Sequence, residues 1–373
     1  MKIAIEAQRI FRVDKHGMDM VVLESLKQIQ KLDYENEYFV LVKGGEDRCL
    51  EETDNMHIVE IHCPTYPLWE QVALPRAVAK IKPDLLHCTS NTAPLYCNVP
   101  LVLTLHDIIF LEKRQASSKS WYQEMGWYYR RLIVPRILDK CKMIITVSKF
   151  ECKRIQERLN LPDEKITSIY NGFNTYFKPI DADPDIVKKY VDTMDYFFFL
   201  GNTDPKKNAV RVLKAYGLYL KSSDKRRKLL IADLKESFID EMLHANHLEE
   251  IKPYLSFPGY IVNKDLIHLY NGAYLFLYPS LRESFGIPQL EAMACGTPLI
   301  AGNTSAMPEI AGEDAVLVNP MDEKEIADAM LRLENDEVYY NEKRRYGLER
   351  ATRFSWHNTA KELLSLYKKV LTK

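Results

Sequence analysis

Two carboxylates lie eight residues apart in a segment whose other residues suit a ligand-binding loop. The segment is Glu283-Ser-Phe-Gly-Ile-Pro-Gln-Leu-Glu291. Carboxylate oxygens only accept hydrogen bonds, so the pair suits donors such as sugar or ribose hydroxyls. Gly286 permits a tight turn, and Pro288 is favoured where a helix begins. The segment therefore predicts a loop and a helix N-terminus that bind hydroxyl groups or a diphosphate.

A simpler interpretation exists for Glu291 alone. An acidic residue near a helix N-terminus complements the helix dipole and contributes roughly 0.3–1 kcal/mol. That interpretation does not explain why Glu283, Gly286 and Pro288 accompany it.

The elements around the segment predict where it lies in a fold. A short apolar run, Leu275–Tyr278, precedes it, and Gly296 follows at a position that ends helices. The segment therefore follows the carboxyl end of a strand, where open α/β sheets bind ligands.

Strands and helices alternate along the whole chain, with one interruption. The strand-like runs of the first half are Lys2–Ala7, Tyr38–Lys43, Ile58–Cys63, Leu85–Cys88, Leu101–Leu105, Met143–Val147 and Ile166–Tyr170. Those of the second half are Tyr196–Leu200, Leu229–Ala232, Leu275–Tyr278, Leu299–Ala301 and Ala315–Val318. Most lack strict alternation, which favours parallel strands covered on both faces. The polar, Pro-punctuated stretch near residues 172–184 predicts the junction of two α/β domains.

Composition excludes several classes of protein. The 373 residues include 51 Lys and Arg against 52 Asp and Glu, and 46% are hydrophobic. These values exclude a disordered chain, and a net charge of −1 argues against a dedicated nucleic-acid binder. We expect no membrane span and no signal peptide, hence a cytoplasmic protein. The seven scattered cysteines form no C-x-x-C pair, so we expect free thiols and no metal site.

Several common motifs are absent. The chain has no G-x-G-x-x-G, P-loop, H-E-x-x-H or G-x-S-x-G sequence. Asp181-Ala-Asp183 has the form of a metal-binding pair, but it lies in the Pro-rich connection and is better explained as solvated linker that starts a helix.

The segment Glu283–Glu291 resembles the E-x7-E signature of the family 4 retaining glycosyltransferases, which have the GT-B fold. Further matching segments occur in the expected order over nearly the whole chain: Val147-Ser148, Tyr170–Asn174, Phe199–Asn202, Lys206–Asn208, Phe257–Tyr260, Ser280, Ala292–Pro298 and Met307–Glu309. The resemblance implies two doubly wound, Rossmann-like parallel-sheet domains that face each other across a cleft. It implies an acceptor-binding domain over residues 1–173 and a nucleotide-sugar-binding domain over 174–355. Residues 356–373 would form a helix that packs back on the first domain.

The resemblance also assigns roles to individual residues. Glu291 would hold the ribose hydroxyls, Glu283 would face the donor sugar, and Lys207 would neutralise the diphosphate. The remaining donor-binding positions would be Gly17, Gly201, Asn202, Lys206, Ser284, Phe285, Gly286 and Ile287. His106 and Asp107, at a strand end, would complete the catalytic set with Glu283. Taken alone, a His at a strand end, a lysine pair at a helix entry and a single Gly17 also have ordinary structural explanations.

The reaction implied by the resemblance is retaining transfer of a hexose to a glycan or lipid-linked acceptor in cell-surface polysaccharide synthesis. We expect no cofactor, no metal and front-face attack, with a phosphate oxygen of the donor accepting the acceptor proton. The motifs look most similar to mannosyl- or rhamnosyltransferases, which favours a GDP-sugar. The chain departs from the family at Ala232, where Gly is frequent, and at Asn202, where Arg or Thr is frequent.

Residues 113–142 form a basic and aromatic segment. Eight Lys and Arg residues stand there against two acidic ones, interleaved with Trp121, Tyr122, Trp127, Tyr128 and Tyr129. Such a helix can lie on an anionic membrane surface and approach a lipid-linked acceptor. The alternative is a helix whose aromatic residues face the domain core and whose basic residues are solvated.

Two other functions remain open at this point. A nucleotide-sugar epimerase or a phosphorylase can share the fold, but the paired carboxylates argue against both. A non-catalytic nucleotide-sugar-binding subunit is the non-enzyme alternative, against which the intact Glu283, Glu291, Lys207 and His106 argue.

Overall fold

A computed structural model describes residues 1–112 and 121–372, and only the backbone of residues 121–123. The chain divides into two units. The first unit comprises Met1–Gly172 and the C-terminal residues from Trp356, and the second comprises Phe173–Ser355.

The first unit contains a seven-stranded sheet. Its strands are β1 (Lys2–Glu6), β2 (Glu37–Val42), β3 (Met56–Glu60), β4 (Leu85–Cys88), β5 (Leu101–Thr104), β6 (Cys141–Thr146) and β7 (Ile166–Ser168). They are all parallel, in the order β3-β2-β1-β4-β5-β6-β7. Every residue of β4 and β5 is buried, as expected of strands covered on both faces.

Helices cover both faces of this sheet. They are α1 (Gly17–Leu32), α2 (Tyr66–Leu68), α3 (Leu74–Ile81), α4 (Trp121–Ile137), α5 (Lys149–Leu159) and, from the C-terminus, the helix Trp356–Thr372. Along β1, Ile3 and Ile5 pack in the cluster that includes α1, whereas Ala4 packs in the cluster on the opposite face. The predicted doubly wound arrangement follows from this alternation.

The C-terminal helix covers α1, which explains its amphipathic sequence. Leu363 and Leu366 share a buried cluster with Leu26 of α1. The hydroxyl of Tyr367 lies 2.7 Å from Nδ1 of His87, and the Thr359 hydroxyl donates to the Tyr170 carbonyl. Burial lowers the pKa of His87 to about 3, so this imidazole is neutral at physiological pH.

The second unit contains a six-stranded parallel sheet. Its strands are β8 (Tyr196–Leu200), β9 (Lys228–Ala232), β10 (Leu255–Gly259), β11 (Leu275–Tyr278), β12 (Leu299–Gly302) and β13 (Val316–Val318), in the order β10-β9-β8-β11-β12-β13. No strand-like run in the sequence predicts β10. This edge strand contains Pro258 and a shift of register, and both obscure its pattern.

The helices of the second unit lie before, between and after its strands. They are α6 (Pro184–Val187), α7 (Ala209–Ser222), α8 (Glu236–Asn246), α9 (Leu266–Gly272), α10 (Ile287–Ala294), α11 (Met307–Ala311), α12 (Glu323–Asn335) and α13 (Glu337–Ala351), and the C-terminal helix described above is α14. Asp181 and Asp183 of the Pro-rich connection are exposed, and Asp183 caps α6 by accepting from the Asp185 amide. This arrangement agrees with the linker interpretation.

None of the helices in the described part of the chain is long and apolar enough to cross a membrane.

Candidate functional site

An ion pair joins two loops at the carboxyl edge of the second sheet. Lys207 follows β8, Glu283 follows β11, and the Lys207 Nζ lies 2.7 Å from the Glu283 Oε1. The side chains are 16% and 13% exposed, and the lysine also lies 5.0 Å above the ring of Tyr278. Both charges are therefore fixed at the edge where open α/β sheets bind ligands.

Local geometry explains why Lys207 faces this edge. Asp204 caps a 3₁₀ turn, Pro205–Lys207, that carries both lysines. Asn208 then takes a left-handed conformation (φ 65°) and its buried Nδ2 donates to the carbonyls of Pro279 and Pro320. Three strand-end loops are thereby tied together behind the ion pair.

The two neighbouring lysines have different surroundings. The Lys206 Nζ lies 3.6 Å from the exposed carboxylate of Asp204, whereas its carbonyl accepts from the Leu281 amide. Lys206 therefore contributes a backbone tie between loops, and Lys207 contributes the enclosed charge.

The turn into α10 requires glycine at position 286. Gly286 has φ 89°, and a Cβ there would lie 2.7 Å from Nε2 of Gln289. Pro288 is the second helical residue, one position later than predicted, and Gly296 ends the helix with φ 77°. Glu291 is the fifth residue of α10, so it lies beyond the first turn and a purely dipolar role explains it poorly.

Glu291 is a carboxyl group held in an apolar environment. The Tyr270 hydroxyl donates to its Oε2 at 3.1 Å. Burial raises the pKa of Glu291 to about 7, and the Tyr270 hydrogen bond opposes this shift. The electrostatic influence of Glu291 also reaches Tyr176 and Cys295, whose own pKa values are raised chiefly by burial. A carboxylate that is costly to ionise marks a candidate binding residue.

The other predicted residues of the second unit surround this edge. Ser284 is partly exposed, Phe285 is buried with its ring against Phe354, and Ile287 begins α10. Asn202 accepts from the Asp204 amide at 2.7 Å. A Cβ at Gly201 would meet Leu234 at 2.8 Å, so packing within the protein already accounts for this glycine.

His106 of the first unit is buried at the carboxyl end of β5. Its Nε2 lies 3.0 Å from the Thr89 carbonyl, which can only accept, so Nε2 carries the proton and Nδ1 carries the lone pair. Burial lowers the pKa of His106, while the Thr89 carbonyl and the charges of Asp107 and Asp19 oppose the shift. The imidazole is a neutral acceptor.

Asp107 forms a hydrogen bond within its own turn, whereas a Cβ at Gly17 would contact nothing. The carboxylate of Asp107 accepts from the Ile109 amide at 3.0 Å and shapes the turn after β5. Gly17 begins α1 and has nothing within 4 Å of a would-be Cβ. Packing within the protein therefore does not require a glycine there.

Comparison with known proteins identifies the family of this chain. A family model for group 1 glycosyl transferases matches residues 184–369, and a model for glycosyltransferase family 4 matches residues 16–177. The chain belongs to the family 4 glycosyltransferases.

Relatives of this glycosyltransferase include two Escherichia coli proteins. The serotype-specific mannosyltransferase WbdA is 28% identical over 78% of this chain, and the chain spans only 37% of that relative's length. The O-antigen chain mannosyltransferase B is 27% identical over 72% of this chain and 70% of its own length. The crystal structure of Anabaena HepE in complex with UDP-glucose covers 99% of this chain and 100% of its own, at 17% identity and a TM-score of 0.72. This likeness confirms the predicted GT-B fold with two parallel-sheet domains.

Several residues that build the site are not predicted from the sequence. The Tyr270 hydroxyl contacts Glu291, and the Tyr278 hydroxyl contacts Lys207. Asn208 joins three loops. Asn208 lies in the matching segment Lys206–Asn208 and Tyr278 ends the predicted strand Leu275–Tyr278, but no local pattern indicates Tyr270 on α9. Among the residues that the structure describes, no group of three or more His, Cys, Asp or Glu is arranged to hold a metal ion.

Part of the basic segment, residues 113–142, packs against the core of the first unit, and part of it is an exposed apolar surface. Residues 113–120 and the side chains of Trp121 and Tyr122 lie outside the described part. Trp127 and Tyr129 pack against the core of the first unit, as the structural alternative predicts. Met125, Tyr128 and Leu132 form an exposed apolar stripe on α4, 46%, 60% and 53% exposed, beside exposed Arg131 and Arg136.

Proposed function

We propose that this protein is a retaining, metal-independent hexosyltransferase that uses a nucleotide-diphosphate sugar, with GDP-mannose favoured. The acceptor is a glycan or lipid-linked saccharide of cell-surface polysaccharide synthesis, and the reaction occurs in the cytoplasm. The mannosyltransferase names of the relatives support the choice of sugar.

The enclosed pair of Lys207 and Glu283 beside the start of α10 is the observation that carries the proposal. A diphosphate needs a fixed cation and backbone amides, and Lys207 and the first amides of α10 offer them. A ribose needs hydrogen-bond acceptors, and Glu291 offers them.

The proposed step breaks the bond between the anomeric carbon and the diphosphate oxygen. The acceptor oxygen bonds to the same face of that carbon, and its proton passes to the departing phosphate oxygen. Lys207 stabilises the negative charge that grows on the diphosphate. Glu283 orients Lys207 and faces the donor sugar.

The neutral imidazole of His106 has one part in this proposal. Its protonated Nε2 is held by Thr89, so its Nδ1 accepts a hydrogen bond from a hydroxyl of the donor sugar. Because burial lowers its pKa, the imidazole stays neutral and binds the hydroxyl as an acceptor.

Thermal-shift measurements with UDP, GDP, ADP and their mannose and glucose conjugates test the proposal. We expect GDP and GDP-mannose to raise the Tm, since a ligand at 100 times its Kd stabilises by about 2.7 kcal/mol. NMR of the product should show the anomeric configuration of the donor, and EDTA should leave the rate unchanged. The function is refuted if no nucleotide stabilises the protein.

We also propose that the stripe Met125, Tyr128 and Leu132 contacts an anionic membrane surface, with Arg131 and Arg136 binding headgroups. Replacing the three apolar residues by Ser should reduce sedimentation with vesicles containing anionic phosphatidylglycerol, and should not change sedimentation with neutral phosphatidylcholine vesicles. The matched control is Val338→Ser, since Val338 is 81% exposed in the second unit. Equal sedimentation of the triple variant and the control would remove the membrane proposal.

A further inference from the structure

A buried carboxylate of the first unit has an unusually complete set of donors. Glu70 is 1% exposed, and its Oε1 accepts from Tyr66 at 2.7 Å and from the Thr92 hydroxyl. Its Oε2 accepts from Tyr129 at 2.6 Å and from Gln71 at 2.9 Å. Burial raises the pKa of Glu70, and these hydroxyl groups oppose the shift. Such a network holds the two tyrosines in fixed positions.

The backbone that carries Glu70 is also unusual. Trp69–Ala73 forms one π-helical turn, and Trp69 anchors it by donating to the Ile61 carbonyl at 3.0 Å. Isolated π-helical turns are rare and occur frequently at functional sites. The segments that meet there follow β3, β4 and β5, so the network lies at the carboxyl edge of the first sheet.

A partly exposed guanidinium lies against this network. Arg9, in the loop after β1, has its Cζ 5.2 Å from the ring centre of Tyr66. Its Nε is buried without a hydrogen-bond partner, and within residues 1–112 and 121–372 Arg9 forms no ion pair. The second buried carboxylate at this edge, Glu6, accepts from the amides of Gln8 and Thr89 instead. Guanidinium donors left without acceptors at a sheet edge are available to a ligand.

We propose that Arg9 and Tyr66, held in place by Glu70, form the subsite of the first unit that takes the terminal neutral sugar of the acceptor. This inference rests on the proposed function and names part of its acceptor site. Arg9 donates to hydroxyl oxygens of the sugar, and Tyr66 offers both a ring edge and a fixed phenolic oxygen. Glu70 is a positioning residue because it acts through Tyr66.

The charges at this edge favour a neutral sugar over an anionic group. Glu6 and Glu70 are both buried there, 2% and 1% exposed, and the cation that lies against the network is Arg9. A phosphate or a uronate carboxylate would be repelled by two carboxylates while one guanidinium attracts it. Hydroxyl groups meet no such repulsion.

Arg9→Met tests the subsite, because methionine keeps the apolar stem and removes the donors. We expect the KM for a mannose-terminated acceptor to rise at least about tenfold, since a hydrogen bond to a charged group is removed. The Kd for GDP-mannose and its hydrolysis in the absence of acceptor should not change. Arg12→Met is the matched control, because Arg12 is an exposed arginine of the same loop.

Tyr66→Phe gives a second, independent variant that keeps the ring and removes the hydroxyl bonded to Glu70. It should raise the acceptor KM with little change in kcat, which a purely structural role for Tyr66 would not produce. An unchanged acceptor KM in Arg9→Met would overturn the subsite while leaving the glycosyltransferase proposal intact.

Saturation-transfer NMR provides a readout that does not depend on turnover. The probes are methyl α-D-mannopyranoside, which is neutral, and octyl phosphate, which is anionic. We expect saturation transfer to the mannoside in the parent protein and in Arg12→Met, and its loss in Arg9→Met. Transfer to octyl phosphate that depends on Arg9, or no transfer to the mannoside in the parent protein, would overturn the assignment. Failure of every nucleotide to bind would instead refute the proposed function.

Discussion

Replacing Lys207 by Met should lower the rate of sugar transfer by about 10²–10³-fold, the effect of removing one preorganised group that stabilises developing negative charge. Its Nζ is 2.7 Å from Glu283 and only 16% of the side chain is exposed, so no solvated cation can replace it without rearrangement. The measurement is kcat with saturating donor and acceptor.

Stability measurements separate the catalytic effect of Lys207 from its structural one. Lys207→Met leaves the largely buried Glu283 without its cation, so the free energy of unfolding should fall by about 1–3 kcal/mol. Adding Glu283→Gln should recover most of this stability and none of the transfer rate. If the double variant regained activity, Lys207 would have no role beyond compensating the carboxylate.

Replacing two further lysines shows whether the loss of rate is specific to Lys207. Lys206→Met should cause a much smaller loss of rate than Lys207→Met, because the Lys206 ammonium pairs with the exposed Asp204. Lys228→Met is the control outside the site, since Lys228 forms an exposed pair with Asp192. Equal losses for Lys206 and Lys207 would contradict the distinction that their surroundings indicate.

Replacing Glu291 by Gln should weaken donor binding about 10–100-fold and stabilise the free protein at pH 8. A carboxylate accepts from both ribose hydroxyls, whereas an amide offers one acceptor oxygen. Because burial raises the pKa of Glu291 to about 7 from 4.5, ionisation opposes folding. The free energy of unfolding therefore falls as pH rises from about 4.5 to 7, by a contribution on the order of 1–3 kcal/mol that Glu291→Gln abolishes.

The pH dependence of donor binding supplies the sharper test. As Glu291 ionises, its second oxygen becomes an acceptor, so affinity for GDP-mannose should increase between pH 6 and pH 8 in the parent protein. It should be flat in Glu291→Gln. The sugar nucleotide is preferable to free GDP, because a terminal phosphate titrates near pH 6 and a diester phosphate does not. The groups that feel the charge of Glu291 are Tyr270, Tyr278, Tyr176 and Cys295, and all have raised pKa values and stay neutral in this range.

Glu313→Gln is the control for these experiments. Glu313 is an exposed acidic residue of the same unit, so its replacement should change neither the pH profile nor the donor affinity. A parent protein whose affinity for GDP-mannose did not depend on pH would show that Glu291 does not receive the ribose.

Most of the fold could be predicted from the sequence, because its signals are local. Strands Leu85–Cys88, Tyr196–Leu200 and Leu275–Tyr278 were predicted at their observed bounds, since buried parallel strands have continuous apolar runs. Strand β10 is not predicted from the sequence, because an edge strand need not be apolar throughout and tolerates proline.

The sequence by itself determined the class of fold, the family and the loop that contains Glu283, Gly286 and Glu291, because these features are patterns of neighbours along the chain. Only the tertiary structure decided which of two adjacent lysines faces Glu283, and that Tyr270 lies against Glu291. It alone brought Arg9, Tyr66 and Glu70 together with Tyr129, which is 59 residues from Glu70. Such contacts depend on side-chain rotamers and on the packing of distant loops at one edge of a sheet, and neither leaves a periodic trace in the sequence.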